Sequence, residues 1–196
     1  MIKARAGSRW VSELLYRGQS NAEWTLNTTL ERQPGSMDYH ALAQHLAIVR
    51  VKPHIETLTG KEWAVPDPTE FEDYLEKQRV FHRFDPRTYA YMAYLRHLGF
   101  PSPLLDWSRS PFIAAFFAFR EAPEIPPDFC SLYGYLEAAG GGKGTASDKP
   151  HIRSMGPDVR THRRHFLQQC EYTFCLIKER DVGYLNRPGI AGGHLV

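Results

Sequence analysis

Five side chains stand out for chemistry: Arg17, Asp106, Ser108, Gln169 and Glu171. Arg17 lies in Leu14-Leu15-Tyr16-Arg17-Gly18, a short apolar run that reads as a strand closing on a glycine. With a period of two, Leu15 and Arg17 share one face, and Leu14 and Tyr16 the other. A guanidinium there either stands over a cleft or makes a surface ion pair. Asp106, Ser108 and Arg109 come just before Ser110-Pro111, which read as the N-cap and first residue of a helix. Backbone N–H groups and the helix dipole make that place suitable for an anion or a phosphate. The plainer use of Asp106 and Ser108 is to cap and turn the chain. Gln169 and Glu171 point the same way at the start of a strand, Glu171–Ile177. Such a pair suits the hydroxyls of a ribose, or the polar face of an edge strand.

The elements that must position these groups can be read along the chain. The stretch Gly99–Arg120, with three prolines, leads through Leu104-Leu105-Asp106-Trp107 into an apolar helix. Ile113, Ala114, Phe116, Phe117 and Phe119 cover most of its circumference, which predicts a central, buried helix. Upstream, Trp24, Leu26 and Leu30 read as anchors of a polar segment. A helix is expected over Met37–Val51, with Leu42, Leu46 and Val49 inward and Pro53 ending it. His40 and His45 are five apart, which places them on a solvated face rather than as a metal pair. Trp63 reads as a loop anchor. Thr69-Glu70-Phe71-Glu72 matches a capping box, opening a helix to Val80 with Phe71, Tyr74 and Leu75 inward. Asp85-Pro86 starts another, with Thr88, Tyr91, Met92, Leu95 and Leu98 inward and Gly99 past its end. Ser131–Leu136 reads as a strand. Residues 137–150 read as a flexible loop that lacks the phosphate-loop pattern, because Gly144 follows Lys143. Val159–His165 is basic, as a solvated helical face or a surface for nucleic acid. The expected fold class is α+β. Helices in the first half would pack on a small mixed or antiparallel sheet of Leu14–Arg17, Ser131–Leu136 and Glu171–Ile177.

The totals set limits. A chain of 196 residues suffices for one domain, and a formal charge of +2 does not by itself argue for nucleic acid. Cys130, Cys170 and Cys175 lack Cys-x-x-Cys spacing, so neither a disulfide framework nor a metal site is signalled. The N-terminus lacks an apolar leader core, and no run reaches membrane-spanning length. The expectation is a reduced, cytoplasmic protein without membrane association. The abrupt Gly-rich tail suggests one domain of a longer protein.

In motif order the chain resembles the FRG domain family. Tyr16-Arg17-Gly18 matches the motif that names the family, with Gln19 and Trp24 in the polar segment that follows. His97, Gly99, Pro101, Leu104, Leu105, Asp106 and Trp107 match its His-x-Gly-x-Pro-x-x-Leu-Leu-Asp-Trp run. Pro111, Ala114 and Phe117 fall in the helix that follows. Gln168-Gln169 and Tyr172 match a third, weaker motif. The chain departs at Pro103, where Arg is frequent, and at Cys170, where Gly is frequent; both bear on retained activity. More loosely, the order resembles the Arg–Ser–Glu class of ADP-ribosyltransferases. Arg17 stands for the first motif, Ser108 or Ser110 for the second, and Gln169-Cys170-Glu171 for the third. That resemblance implies an ADP-ribosyltransferase or NAD glycohydrolase, a toxin or anti-phage effector that consumes NAD without a metal. It assigns Arg17, Glu171, Gln169, Asp106 and Ser108 to catalysis. Tyr16, Arg17, Gly18, Gln19, His97, Trp107 and Ser110 would contact the dinucleotide, and a protein or nucleic acid would be the acceptor. Two other readings stay open: a nucleic-acid-directed effector, and a non-catalytic recognition module of a bacterial defence protein. The oligomeric state is not readable.

Overall fold

Short strands alternate apolar residues on both sides, and the chain answers by placing one antiparallel sheet between two layers. The computed structural model describes residues 5–6, 9–34, 39–77, 85–120, 128–138, 151–179 and 183–186. β1 (Arg5–Ala6) and β2 (Arg9–Trp10) pair with each other. The main sheet contains β3 (Leu14–Gln19), β4 (Tyr39–His40), β5 (Leu105–Ser108) and β6 (Ser131–Leu136). β7 (His151–Met155), β8 (Cys170–Glu179) and β9 (Gly183–Asn186) complete it. Its order is β4-β9-β8-β5-β3-β6, with β7 also on β8. Every pairing is antiparallel. The helices are α1 (Ala41–Thr59), α2 (Pro68–Lys77), α3 (Pro86–His97), α4 (Pro111–Arg120) and α5 (Arg163–Leu167).

The α+β class holds, and the three expected strands are β3, β6 and β8. The sheet is larger than expected because β5 enters between β3 and β8. Four residues with Asp106 and Ser108 among them carry too little β signal to be read alone. Leu15, Leu26, Leu105, Trp107 and Tyr135 form the apolar layer on one face. On the other face Leu104, Cys170, Tyr172 and Phe174 pack with Ile48 of α1 and Tyr91, Met92 and Leu95 of α3. Among the described residues no helix is long and apolar enough to cross a membrane.

α3 forms as its caps predict. Asp85 accepts a hydrogen bond from the Arg87 N–H at 2.9 Å, Pro86 opens the helix, and Gly99 takes φ 88° just past it. Leu98 is exposed, unlike its expectation. α2 is capped by Asp67, whose Oδ1 accepts from the N–H groups of Thr69 and Glu70, so the Thr69 box is not the cap. α1 runs through Pro53 rather than stopping there. Proline removes only one hydrogen bond. Beyond it, Ile55 packs on the core and the Glu56 carboxylate accepts from the Trp63 N–H at 2.7 Å. The fully buried residues of α1 are Gln44, His45 and Ile48; Leu42 packs half-buried on Phe71 and Leu75, whereas Leu46 is exposed. His45 is therefore buried, with Nε2 2.9 Å from the Pro66 carbonyl and its ring stacked on Phe71. α4 is also a correction. Only Ala114 and Ala118 are buried, whereas Phe112, Phe116 and Phe119 are exposed. Small residues face β3 there, so the helix lies close, while Phe112, Phe116 and Phe119 point away. Of the expected flexible loop, residues 139–150 lie outside the described residues, as do residues 78–80 of the second helix.

Candidate functional site: a cleft where two strands part

β3 and β6 pair through six residues, Leu14 to Gln19. β3 and β5 pair at Tyr16 and Ser108 alone. Past that point the two strands separate, and a cleft of about 200 Å³ opens between them. Tyr16, Arg17, Gly18, Gln19 and Ser20 line it from β3 and its end, and Asp106, Trp107 and Ser108 from β5. Ala114 and Phe117 of α4, Trp24, Arg32, Gln168 and Cys170 close it.

Each wall has a local cause. Gly18 lets α4 approach: a Cβ there would stand 1.9 Å from the Ala114 carbonyl oxygen. Ser108 ties the end of β5 to the start of α4. Its Oγ donates to the Gln168 carbonyl at 2.8 Å and accepts from the Ser110 N–H at 3.0 Å. Ser110 Oγ in turn accepts from the Ile113 N–H. Both serines thus act as caps, as the plainer reading of the sequence had it for Ser108. Thr28 and Glu31 cap each other's backbone N–H groups, which fixes the turn that carries Arg32.

The cleft is cationic. Arg17 Nη1 donates to the Asp106 carbonyl at 2.7 Å, bridging the gap between the strands. Burial lowers the pKa of the Arg17 guanidinium, the charge of Asp106 opposes that, and Arg32 and Arg96 add to it. Among the described residues neither Arg17 nor Arg32 has a carboxylate at ion-pair distance. The Asp106 carboxylate is held instead by Arg96, at 2.5 Å from Nη2 to Oδ2. Arg17 Nε, Gln19 Oε1 and Asp106 Oδ1 are buried without a hydrogen-bond partner among the described residues, and all three belong to cleft residues. Unpaired buried polar atoms are costly in a native protein, and a bound ligand is a standard remedy.

Tyr16, Arg17, Gly18, Gln19, Asp106, Trp107 and Ser108 come together at this cleft. Ser110, His97, Gln169 and Glu171 are not among its lining residues. Trp107 is buried, and its Nε1 donates to Thr173 Oγ1 at 2.9 Å, so the ring belongs to the core layer. Trp107 pairs with Glu171 across β5 and β8. One step along the Tyr16–Ser108 register sets Arg17 beside Trp107. Arg17 and Glu171 thus share a sheet face on either side of β5, with the indole between them. Burial pushes the Glu171 carboxyl up to about 7; Glu13 raises it further and Arg109 lowers it. Its Oε1 has no hydrogen-bond partner among the described residues. Gln169 takes φ 48° in the turn before β8, and its carbonyl accepts from the Arg109 N–H. His97 ends α3, and its Nε2 lies 2.9 Å from the Tyr172 hydroxyl; burial pushes its pKa down to about 4.

Sequence reasoning left several lining residues unassigned, Trp24, Arg32 and Cys170 among them. Trp24 is 46% exposed at the cleft, not an anchor, while Leu26 and Leu30 are buried as expected. A lone indole in a polar segment with no apolar period was the available signal. Arg32 and Cys170 carried none. Burial pushes the Cys170 thiol up to about 12, which leaves it no nucleophile in water. In the basic stretch, Arg164 Nη1 donates to the His97 carbonyl and His165 is buried, so that stretch is partly structural.

Comparison with curated proteins finds no match, and comparison with solved structures finds none. The family model of the FRG domain matches residues 12–125, more than half of the chain. That span holds β3, β5 and α4, and so both strands that part to form the cleft. The chain belongs to the FRG domain family.

Proposed function

We propose that the cleft binds NAD and that the chain is an ADP-ribosyltransferase or NAD glycohydrolase acting as a defence effector. One observation carries this reading: Arg17 and Arg32 face one cleft without carboxylate partners, beside the exposed indole of Trp24. Two guanidinium groups suit a diphosphate through charge-assisted, bidentate hydrogen bonds. An indole at the edge suits stacking on a base or a nicotinamide ring. Breaking the nicotinamide–ribose bond develops positive charge on the ribose. Of the carboxylates named by the sequence, Asp106 lines the cleft, and it would stabilise that charge. Nicotinamide leaves with the bonding electron pair. Water or an acceptor nucleophile then attacks the ribose carbon and gives its proton to solvent.

The test is nicotinamide release from NAD by the purified chain. Arg17→Ala and Asp106→Asn are expected to lower the rate by about 10²–10³, the usual cost of one electrostatic group. Glu171→Gln is expected to leave most of the rate, since its carboxyl is outside the cleft. No release, and no rise in melting temperature with NAD, would sink the reading. The same pair of cations and indole also suits single-stranded nucleic acid, which stacks bases on aromatic rings. That second reading requires an affinity that falls steeply with added salt.

A further inference from the structure

We infer that His97, His165 and Cys170 form a metal site for a borderline-soft divalent cation of the zinc type, with the Tyr172 hydroxyl as fourth donor. The site shares Cys170 with the wall of the cleft but is argued without the dinucleotide reading. Sequence spacing gave no hint of it, because the ligands come from the end of α3, from α5 and from the first residue of β8. The fold brings one ligand atom from each of the three within 4.8 Å of one another. Tyr172 is on the same face of β8 as Cys170, two residues on. Its hydroxyl lies 2.9 Å from His97 Nε2 and 3.4 Å from His165 Nδ1. Zinc bonds of about 2.0–2.3 Å in a tetrahedron need donor separations of roughly 3.3–3.8 Å. The three side-chain ligands must close to reach them, and the Tyr172 hydroxyl must move out from His97.

The orientation of His165 supports this assignment. Its Nε2 is 2.8 Å from the Pro157 carbonyl, which only accepts, so Nε2 carries the proton. Nδ1 then presents its lone pair to the cluster. An outer carbonyl that fixes the tautomer in this way is a regular part of histidine metal sites. One thiolate, two imidazoles and an oxygen are a donor set for zinc rather than for magnesium or calcium. Binding displaces the Cys170 proton to solvent. The ion would tie α3, α5 and β8 together directly behind Asp106, whose partner Arg96 neighbours His97.

The experiment is cobalt titration of the chelator-treated full chain, followed by absorption, with zinc competition and melting temperature alongside. Expected are one equivalent of tetrahedral cobalt with a thiolate-to-cobalt charge-transfer band, displacement by zinc, and a higher melting temperature with either ion. Cys170→Ser is expected to abolish the charge-transfer band. His97→Ala, at the accessible end of α3, is expected to weaken binding by about 100-fold or more, because even an outer-shell loss costs about 10–100-fold. Tyr172→Phe is expected to weaken binding while keeping the thiolate band. Absence of the band with an unchanged melting temperature would leave a hydrogen-bonded cluster and overturn the inference. So would cobalt binding undiminished in both Cys170→Ser and His97→Ala, and an unchanged affinity in Tyr172→Phe would remove the fourth donor.

Discussion

His45 is an imidazole kept in its neutral form by where α1 puts it. It is 2% exposed, with Nε2 on the Pro66 carbonyl and its ring 3.9 Å from that of Phe71. Burial lowers its pKa from 6.5; the Pro66 carbonyl, Asp85 and Asp67 oppose this and Arg87 adds to it. The unfolded chain thus takes up a proton that the native state refuses. The stability that depends on a neutral His45 is complete above pH 6.5 and is lost as pH falls below it. His45→Gln keeps a donor for Pro66 and removes the titration. Its urea midpoint is expected to fall less than that of the parent between about pH 7 and about pH 5. Parallel slopes would show that His45 titrates freely in the native state. At this scale the sequence was readable where a residue acts on its neighbours. Ser110, Asp85 and Gly99 cap as their types demand. Trp24 and His45 were misread because their environments are made by segments far away in the chain.

Among the elements, α4 lies close against β3, and Gly18 permits it. Gly18→Ala would drive a methyl group into the Ala114 carbonyl, which is backbone and cannot turn aside. The expected cost is about 1–3 kcal/mol or more, and each kcal/mol lowers the melting temperature of a chain this size by about 2–4 °C. Calorimetry of the variant gives the answer, and a loss below about 0.5 kcal/mol would mean that α4 simply slides. α3 was legible, Leu98 apart, because a cap at each end and an apolar stripe all lie within or beside its own residues. α1 was not: its extension past Pro53 depends on the hold of Glu56 on Trp63, a contact that no local pattern announces. β5 was invisible for the same reason. It is a strand only because β3 and β8 lie on either side of it.

Across the whole molecule, large apolar side chains are not confined to the interior. Phe112 is 84% and Phe119 76% exposed on the outer side of α4. Substituting Phe112→Ser is expected to change stability by less than about 0.5 kcal/mol, as at other surface positions away from packed features. Chemical denaturation measures this, and a loss near the several kcal/mol of a core phenylalanine would place the ring inside. The apolar composition of α4 therefore announced a helix correctly and its surroundings wrongly, since periodicity cannot say which side of a helix the sheet takes.

The one-residue junction between β3 and β5 bears on how the chain reaches its fold. β3 leaves the ribosome long before either neighbour exists: 89 residues separate Arg17 from the Asp106 carbonyl it bonds, and β6 follows later still. Closing loops of that length is entropically costly before any contact repays it, and such topologies fold slowly. α1, α2 and α3 are complete in the interval and can dock on one another first. The cleft has β3 and β5 as its walls, so it comes into being only once that long loop has closed.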